Sequence, residues 1–223
     1  MQTTSTPLSY ILRSYRRDQF WLPVALWLLF GLVTWILAGS GRGDNVAKAF
    51  LGGALPLTAG VLAAFALLDD PALELQFSTP APPWKVILER MGLILAVTAA
   101  AALSFQVLLG MIHIDLSDLG PLLVRQAAWF TPSLAMISLG CLAALALVQP
   151  AFGAVLAGGV WTFQLLQQYF FIHNPVARCL FLFMGISAAG HPDQGKNVLC
   201  LASLSLLCLL ASIRLYREQE RYL

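Results

Sequence analysis

The sequence predicts an all-α integral membrane protein with six transmembrane helices, built as a single domain over residues 1–223. Two observations predict this class. Hydrophobic residues make up 59% of the chain, charged residues only 11%, and the mean hydropathy is +0.77. A soluble domain carries roughly 25% charged residues, so a chain this apolar has too little polar surface to cover a globule in water. The apolar residues are also gathered into six runs. Each is close to the length, about 20 residues, at which a helix crosses the hydrocarbon core with every backbone group satisfied internally.

The runs are Phe20–Gly39, Ala49–Leu68, Met91–Leu109, Ala128–Val148, Ala151–Ile172 and Val198–Leu215. Pro150 suits the first turn of a helix, so Gln149-Pro150 predicts a tight turn between two antiparallel spans. Ahead of the first run, Leu8, Ile11, Leu12 and Tyr15 recur at helical spacing, with Arg13, Arg16 and Arg17 largely on another face. This predicts an interfacial amphipathic helix over residues 1–19. No cleavage pattern of a signal peptide follows it, so the first span is expected to be retained. Between the fifth and sixth runs, residues 173–197 hold an apolar piece, Cys179–Ala189, that is too short to cross. It is bounded by Asn174-Pro175 and His191-Pro192 and predicts a re-entrant hairpin on the outer face.

Lysine and arginine near the span ends set the orientation. With the N-terminus inside, eight basic residues flank the spans on the cytoplasmic side: Arg13, Arg16, Arg17, Lys85, Arg90, Arg214, Arg217 and Arg221. Five lie outside: Arg42, Lys48, Arg125, Arg178 and Lys196. Both termini are therefore expected in the cytoplasm, along with the segment 69–90.

Several functions are disfavoured by composition. A net charge of +2 leaves no footprint for nucleic acid. Arg214, at the very end of the last run, is the one charged residue within the six runs, so no acidic group is available to bind a coupling ion within the membrane. The neutral polar candidates for a pathway are Gln164, Gln167 and Gln168, of which Gln164 and Gln168 share a helix face; bonding between helices is the alternative role. No GxSxG, HExxH or paired carboxylate motif is present. Residues Gly190–Asn197 approach a phosphate-binding loop, but the final position is Asn rather than Ser or Thr, and no strand precedes it. Cys141, Cys179, Cys200 and Cys208 form no CxxC and read as small apolar packing residues. No catalytic, metal or cofactor site is expected on this chain, so energy for uphill transport would come from another subunit.

That expectation focuses attention on Asp69–Arg90, DDPALELQFSTPAPPWKVILER, a polar, proline-punctuated island holding four of the eleven acidic residues. Asp69 and Asp70, then Leu73-Glu74-Leu75, then Ser78-Thr79-Pro80, then Lys85 and Arg90, resemble the cytoplasmic connection between the second and third spans of type-2 ABC exporter permeases. Asp193, Asn197 and the closing Arg217-Glu218-Gln219-Glu220-Arg221 are similar to the usual ending of such permeases. The layout matches throughout, while the motifs cover about a sixth of the chain. Pro71-Ala72 depart from the pattern, which often has glycine before the Leu-Glu pair, and Pro80-Ala81-Pro82-Pro83 are unusually proline-rich.

The resemblance implies a membrane subunit of an ATP-driven exporter, multi-pass in the inner membrane of a prokaryote. It is not itself an enzyme: ATP and magnesium belong to a partner ATPase. A coupling helix, with Leu73, Glu74, Leu75, Phe77 and Pro80 as its contact, would seat on cytoplasmic ABC ATPase subunits. A second permease copy or a related permease would complete the pathway, with membrane lipid around it. A haem-export permease has similar size and layout. The rival from another class is a polytopic membrane enzyme with an outer-face site drawn from His113, Asp115, His173 and Asp193.

Overall fold

The computed structural model describes residues 21–68 and 82–217, and all the regular elements there are helical. In chain order they are α1 (Trp21–Ala38), α2 (Gly43–Ala49), a π-turn (Phe50–Ala54), α3 (Leu55–Leu68), α4 (Pro83–Met111), a 3₁₀ turn (Ser117–Leu119), α5 (Leu122–Leu147), α6 (Pro150–Leu166), α7 (Gln168–His173), α8 (Pro175–Arg178), α9 (Met184–Ser187) and α10 (Gln194–Tyr216). The interfacial helix expected over residues 1–19, and residues 69–81, lie outside the described residues.

Five helices are long and apolar enough to cross a membrane: α1, the continuous rod Gly43–Leu68, Trp84–Met111 within α4, α5 and α10. The fifth apolar run differs from the expectation. Ala151–Ile172 is split at Gln167 into α6, a shorter apolar helix of 17 residues, and the six-residue α7. α1 keeps within its predicted run, whereas the rod, α4, α5 and α10 run past the apolar cores drawn from sequence and take up charged residues at their ends, including Lys48, Lys85, Arg90, Arg125 and Lys196.

Burial separates the helices into two classes. In the rod Gly43–Leu68 and in α5, 72% and 67% of the most apolar stretch is buried, against 17%, 28% and 22% in α1, α4 and α10. The rod and α5 therefore form the centre, with α10, α6 and α4 packed on α5 and α1 packed on α2 and α4. Glycines let the central pair approach at backbone distance. A Cβ on Gly140 would overlap the Gly60 carbonyl oxygen, and one on Gly60 would lie 3.0 Å from the Met136 carbonyl oxygen. Gly153 of α6 meets Ala144 of α5 the same way, at 2.6 Å from its backbone nitrogen. Without water to drive apolar faces together, such close van der Waals contact is a principal source of helix association in lipid.

Several polar residues inside the bundle are satisfied by their own helix, whereas the buried Thr34 hydroxyl and the Trp27 indole N–H have no hydrogen-bond partner. Thr58, Thr98, Ser133, Ser205 and Ser212 donate to carbonyls four residues back, at 2.7–2.8 Å. Gln106 of α4 and Gln126 of α5 exchange hydrogen bonds at 3.2 and 2.8 Å, and the Trp129 indole donates to Gln126 at 2.6 Å.

Prolines explain two of the irregularities. Pro56 lacks an N–H, and its ring would strike the carbonyl four residues earlier. The turn before it widens, so that the Leu55 N–H reaches back five residues to Phe50. Pro150 opens α6 as its spacing predicts, with Gln149 held extended at φ −145°, ψ 123°. Val148 closes α5 in the left-handed region at φ 56°, a strained conformation for a β-branched side chain.

One end of the bundle carries the connections 39–42, 112–121 and 174–193. The other carries the ends of α3, α5 and α10 and the start of α4, joined by Leu67, Ile87, Met91, Leu145 and Tyr216 in one apolar cluster. At this end the buried Arg90 of α4 donates from Nη1 to the Ala66 carbonyl of α3 at 3.1 Å. A cation beside the last carbonyls of a helix also complements its dipole. The two helices flanking residues 69–81 are thus tied together at their bases.

Candidate functional site

At the opposite end, residues 168–193 fold into a cap whose backbone is held by a few polar side chains. Asn174 starts α8: its Oδ1 accepts from the N–H groups of Val176 and Ala177 at 3.0 and 3.2 Å, and Pro175 takes the first helical position. Arg178 donates from Nε to the Ile172 carbonyl at 2.8 Å and from Nη1 to Asp193 at 2.7 Å. Two buried amides reach the loop between α8 and α9. Gln164 accepts from the Leu182 N–H at 2.8 Å and donates to the Leu180 carbonyl at 3.2 Å. Asn197 Nδ2 donates toward the carbonyls of Arg178, Cys179 and Phe181 at 2.8, 3.2 and 3.0 Å.

Aromatic rings fill the underside. Phe163, Phe171, Phe181, Phe183 and Trp161 form a chain with centroids 5.5–6.0 Å apart. The Trp161 indole donates to the Gly53 carbonyl in the π-turn at 3.0 Å, which joins α6 to the central rod.

Between α1, the rod and α6, roofed by Phe183, Ile186 and Ser187 of the cap, lies a cavity of about 510 Å³. Leu26, Phe30, Leu57, Trp161 and Leu165 make its wall apolar, while Asn45, Lys48 and Ser187 supply polar groups. Asn45 and Lys48 belong to the first turns of the rod, so polarity is concentrated toward the capped end. Lys48 is held by Asp118 at 3.3 Å and Asp44 at 3.7 Å. Binding cavities of a few hundred Å³ with apolar walls and a few convergent polar groups are ordinary small-molecule sites. This polarity gradient suits an amphipathic molecule with its polar group near Asn45 and its apolar part against Phe30, Leu57 and Trp161.

The cap carries a distinctive charge cluster. Lys196 Nζ lies 2.8 Å from Asp193, and this hydrogen bond, with that from Arg178, holds the Asp193 carboxyl below the usual carboxylate range. His191 Nδ1 accepts from the Asp193 N–H at 3.1 Å, so its 3.8 Å approach to the carboxylate is between two acceptors rather than an ion pair. A depressed carboxylate stabilises the folded state above its ordinary pKa and loses that contribution as pH falls through the folded value. Asp193→Asn should therefore lower the thermal midpoint at pH 7, and the difference from wild type should shrink as the pH falls below the ordinary carboxylate range. Scanning fluorimetry across pH checks this; a difference independent of pH would contradict it.

The residues singled out from sequence are dispersed. Gln164 faces the cap loop, whereas Gln167 and Gln168 are exposed at the bend between α6 and α7; the cavity lining includes none of the three. Leu73, Glu74, Leu75, Phe77 and Pro80 lie outside the described residues. Asp115 accepts from Ser117 at 2.8 Å, His173 bonds the Tyr169 carbonyl at 2.8 Å, and Asp193 is held by Arg178 and Lys196. His113 sits in the 112–121 connection at φ 59°. Among the described residues no group of three or more His, Cys, Asp or Glu could hold a metal ion. Sequence reading missed Asn45, Lys48, Trp161 and Phe183; the available signal was Asp44 and Lys48, four apart at the mouth of an apolar run.

Comparison of the chain with protein families, curated proteins and solved structures finds no match.

Proposed function

We propose that this chain is the membrane-spanning subunit of an ATP-driven exporter of the type-2 ABC class, acting on an amphipathic, lipid-like molecule. In this reading α6 and α7 together make the fifth span, the cap is the outer re-entrant segment, and both termini face the cytoplasm of a prokaryote. The functional assembly pairs this chain with itself or a related permease and with two copies of a separate ATPase, which performs the hydrolysis.

The observation that carries the reading is the Asp69–Arg90 pattern, placed between two helices that Arg90 ties at their base. Leu73, Leu75 and Phe77 offer apolar anchors for a groove and Glu74 a charge for a basic partner. A displacement applied there would move α3 and α4 together as a near-rigid pair. The rod ending in α3 also contributes Lys48, Gly53, Ala54 and Leu57 to the cavity, so the same displacement would reshape the cavity wall.

Isolated from its native membrane, the protein should carry a stoichiometric ATP-hydrolysing subunit. Glu74→Arg combined with Leu75→Asp should weaken that association on the order of tenfold or more, as loss of central anchors does. A chain that carries no such subunit, and whose function survives the double substitution, would refute the exporter reading.

A further inference from the structure

We propose that a single water molecule binds at the foot of the cap, where it bridges the proline break in α5 to Asn197 of α10. Pro132 lies inside α5 and has no N–H, so the Ala128 carbonyl lacks the helix bond that position 132 would otherwise supply. In a helix that crosses a membrane, such a freed carbonyl is satisfied again by a neighbouring side chain or an ordered water. Here α5, α9 and α10 enclose a cavity of about 10 Å³, lined by Ala128, Thr131, Pro132, Gly185, Gln194 and Asn197. That is the room one water molecule needs. Gly185 brings α9 against this stretch of α5: a Cβ on it would lie 3.5 Å from the Ala128 carbonyl oxygen.

Two buried side chains at the cavity have hydrogen-bonding capacity to spare. Thr131 is 5% exposed, and among the described residues its hydroxyl has no partner. Asn197 is equally buried; its Nδ2 faces the carbonyls of Arg178, Cys179 and Phe181, while its Oδ1 accepts from none of the described residues. A water matches this set. It donates its two protons to the Ala128 carbonyl and to Asn197 Oδ1, and it accepts from the Thr131 hydroxyl, giving the three hydrogen bonds typical of a buried water. A sodium ion would meet the same oxygens with no carboxylate among the lining residues to offset its charge. The bridge ties α5 to α10 beneath the loop that Asn197 holds. The inference rests on the cap geometry and is independent of the exporter reading.

The test is a structure of the full chain at a resolution that shows ordered water, determined once in sodium chloride and once in choline chloride. One peak is expected in both, within hydrogen-bond distance of the Ala128 carbonyl, Thr131 Oγ1 and Asn197 Oδ1. A site without a peak, or a peak that disappears in choline, overturns the proposal. Thermal midpoints read the same site by sign. With water bound, Thr131→Val removes the donor it accepts from and should lower the midpoint by about 2–4 °C. In a dry cavity the hydroxyl would be a buried group without a partner, and valine would leave the midpoint unchanged or raise it; that result also overturns the proposal. The wild-type peak requires no variant to fold.

Discussion

Gly140→Leu is expected to prevent recovery of a folded, monodisperse protein. Position 140 is where α5 crosses α3, and a Cβ there would overlap the Gly60 carbonyl oxygen and stand 3.0 Å from the Gly60 carbonyl carbon. Neither helix can yield locally, because the obstructing atoms are backbone rather than the end of a flexible side chain. Overpacking a well-filled interior costs roughly 1–3 kcal/mol for added methylenes that side chains absorb, and more where backbones must separate. Here the separation would open the central pair, on which α6, α10 and α4 all rest. Gly60→Ala should be milder, since one of its neighbours is the Met136 methyl group. Gly159→Ala, with nothing within 4 Å, should be neutral or stabilise by up to about 1 kcal/mol. Size-exclusion profiles and thermal midpoints in detergent rank the three. A Gly140→Leu protein that elutes and melts like wild type would show that the crossing does not hold the bundle.

The second large effect concerns Asn197→Leu, which keeps the branched heavy-atom skeleton and removes the amide. Its nitrogen serves three carbonyls in a site where the residue is 4% exposed. A carbonyl left buried without a donor costs roughly 1–3 kcal/mol, so a loss of about 3 kcal/mol is expected in the cap. In amide exchange this corresponds to about 100-fold faster opening over residues 178–183. The crossing of α3 and α5 should keep its protection, because its glycine contacts do not involve the cap. Asn197→Asp should be at least as damaging, since it aims an acceptor at three acceptors. Unchanged exchange in the 178–183 segment would mean that Gln164 and Arg178 alone hold the cap.

The bundle was legible because its cause is written in long stretches of side chains: the apolar runs, and Pro150 marking the turn between α5 and α6. The helix ends were less legible. Charges such as Lys48 and Arg90 look like boundaries in sequence, yet they continue the helix and place their polar ends at its mouth or against a neighbouring carbonyl. The bend at Gln167 has no proline or glycine to announce it. The boundaries of the cap were visible in Asn174-Pro175 and His191-Pro192. What holds it was not, since Gln164 and Asn197 act on backbone groups 16 to 19 residues away.

The widened turn at Phe50–Ala54 also sets a rotational phase. Each residue of an α-helix advances the azimuth by about 100°, so accommodating an additional residue in one turn offsets everything on its N-terminal side by nearly that angle. Asn45 and Lys48 sit on that side, and Leu57 on the other. The cavity therefore draws its polar pole and its apolar wall from two stretches of helix that an unbroken α-helical register would point in different directions. Pro56 is in this sense the residue that aims Lys48, eight positions away and without touching it.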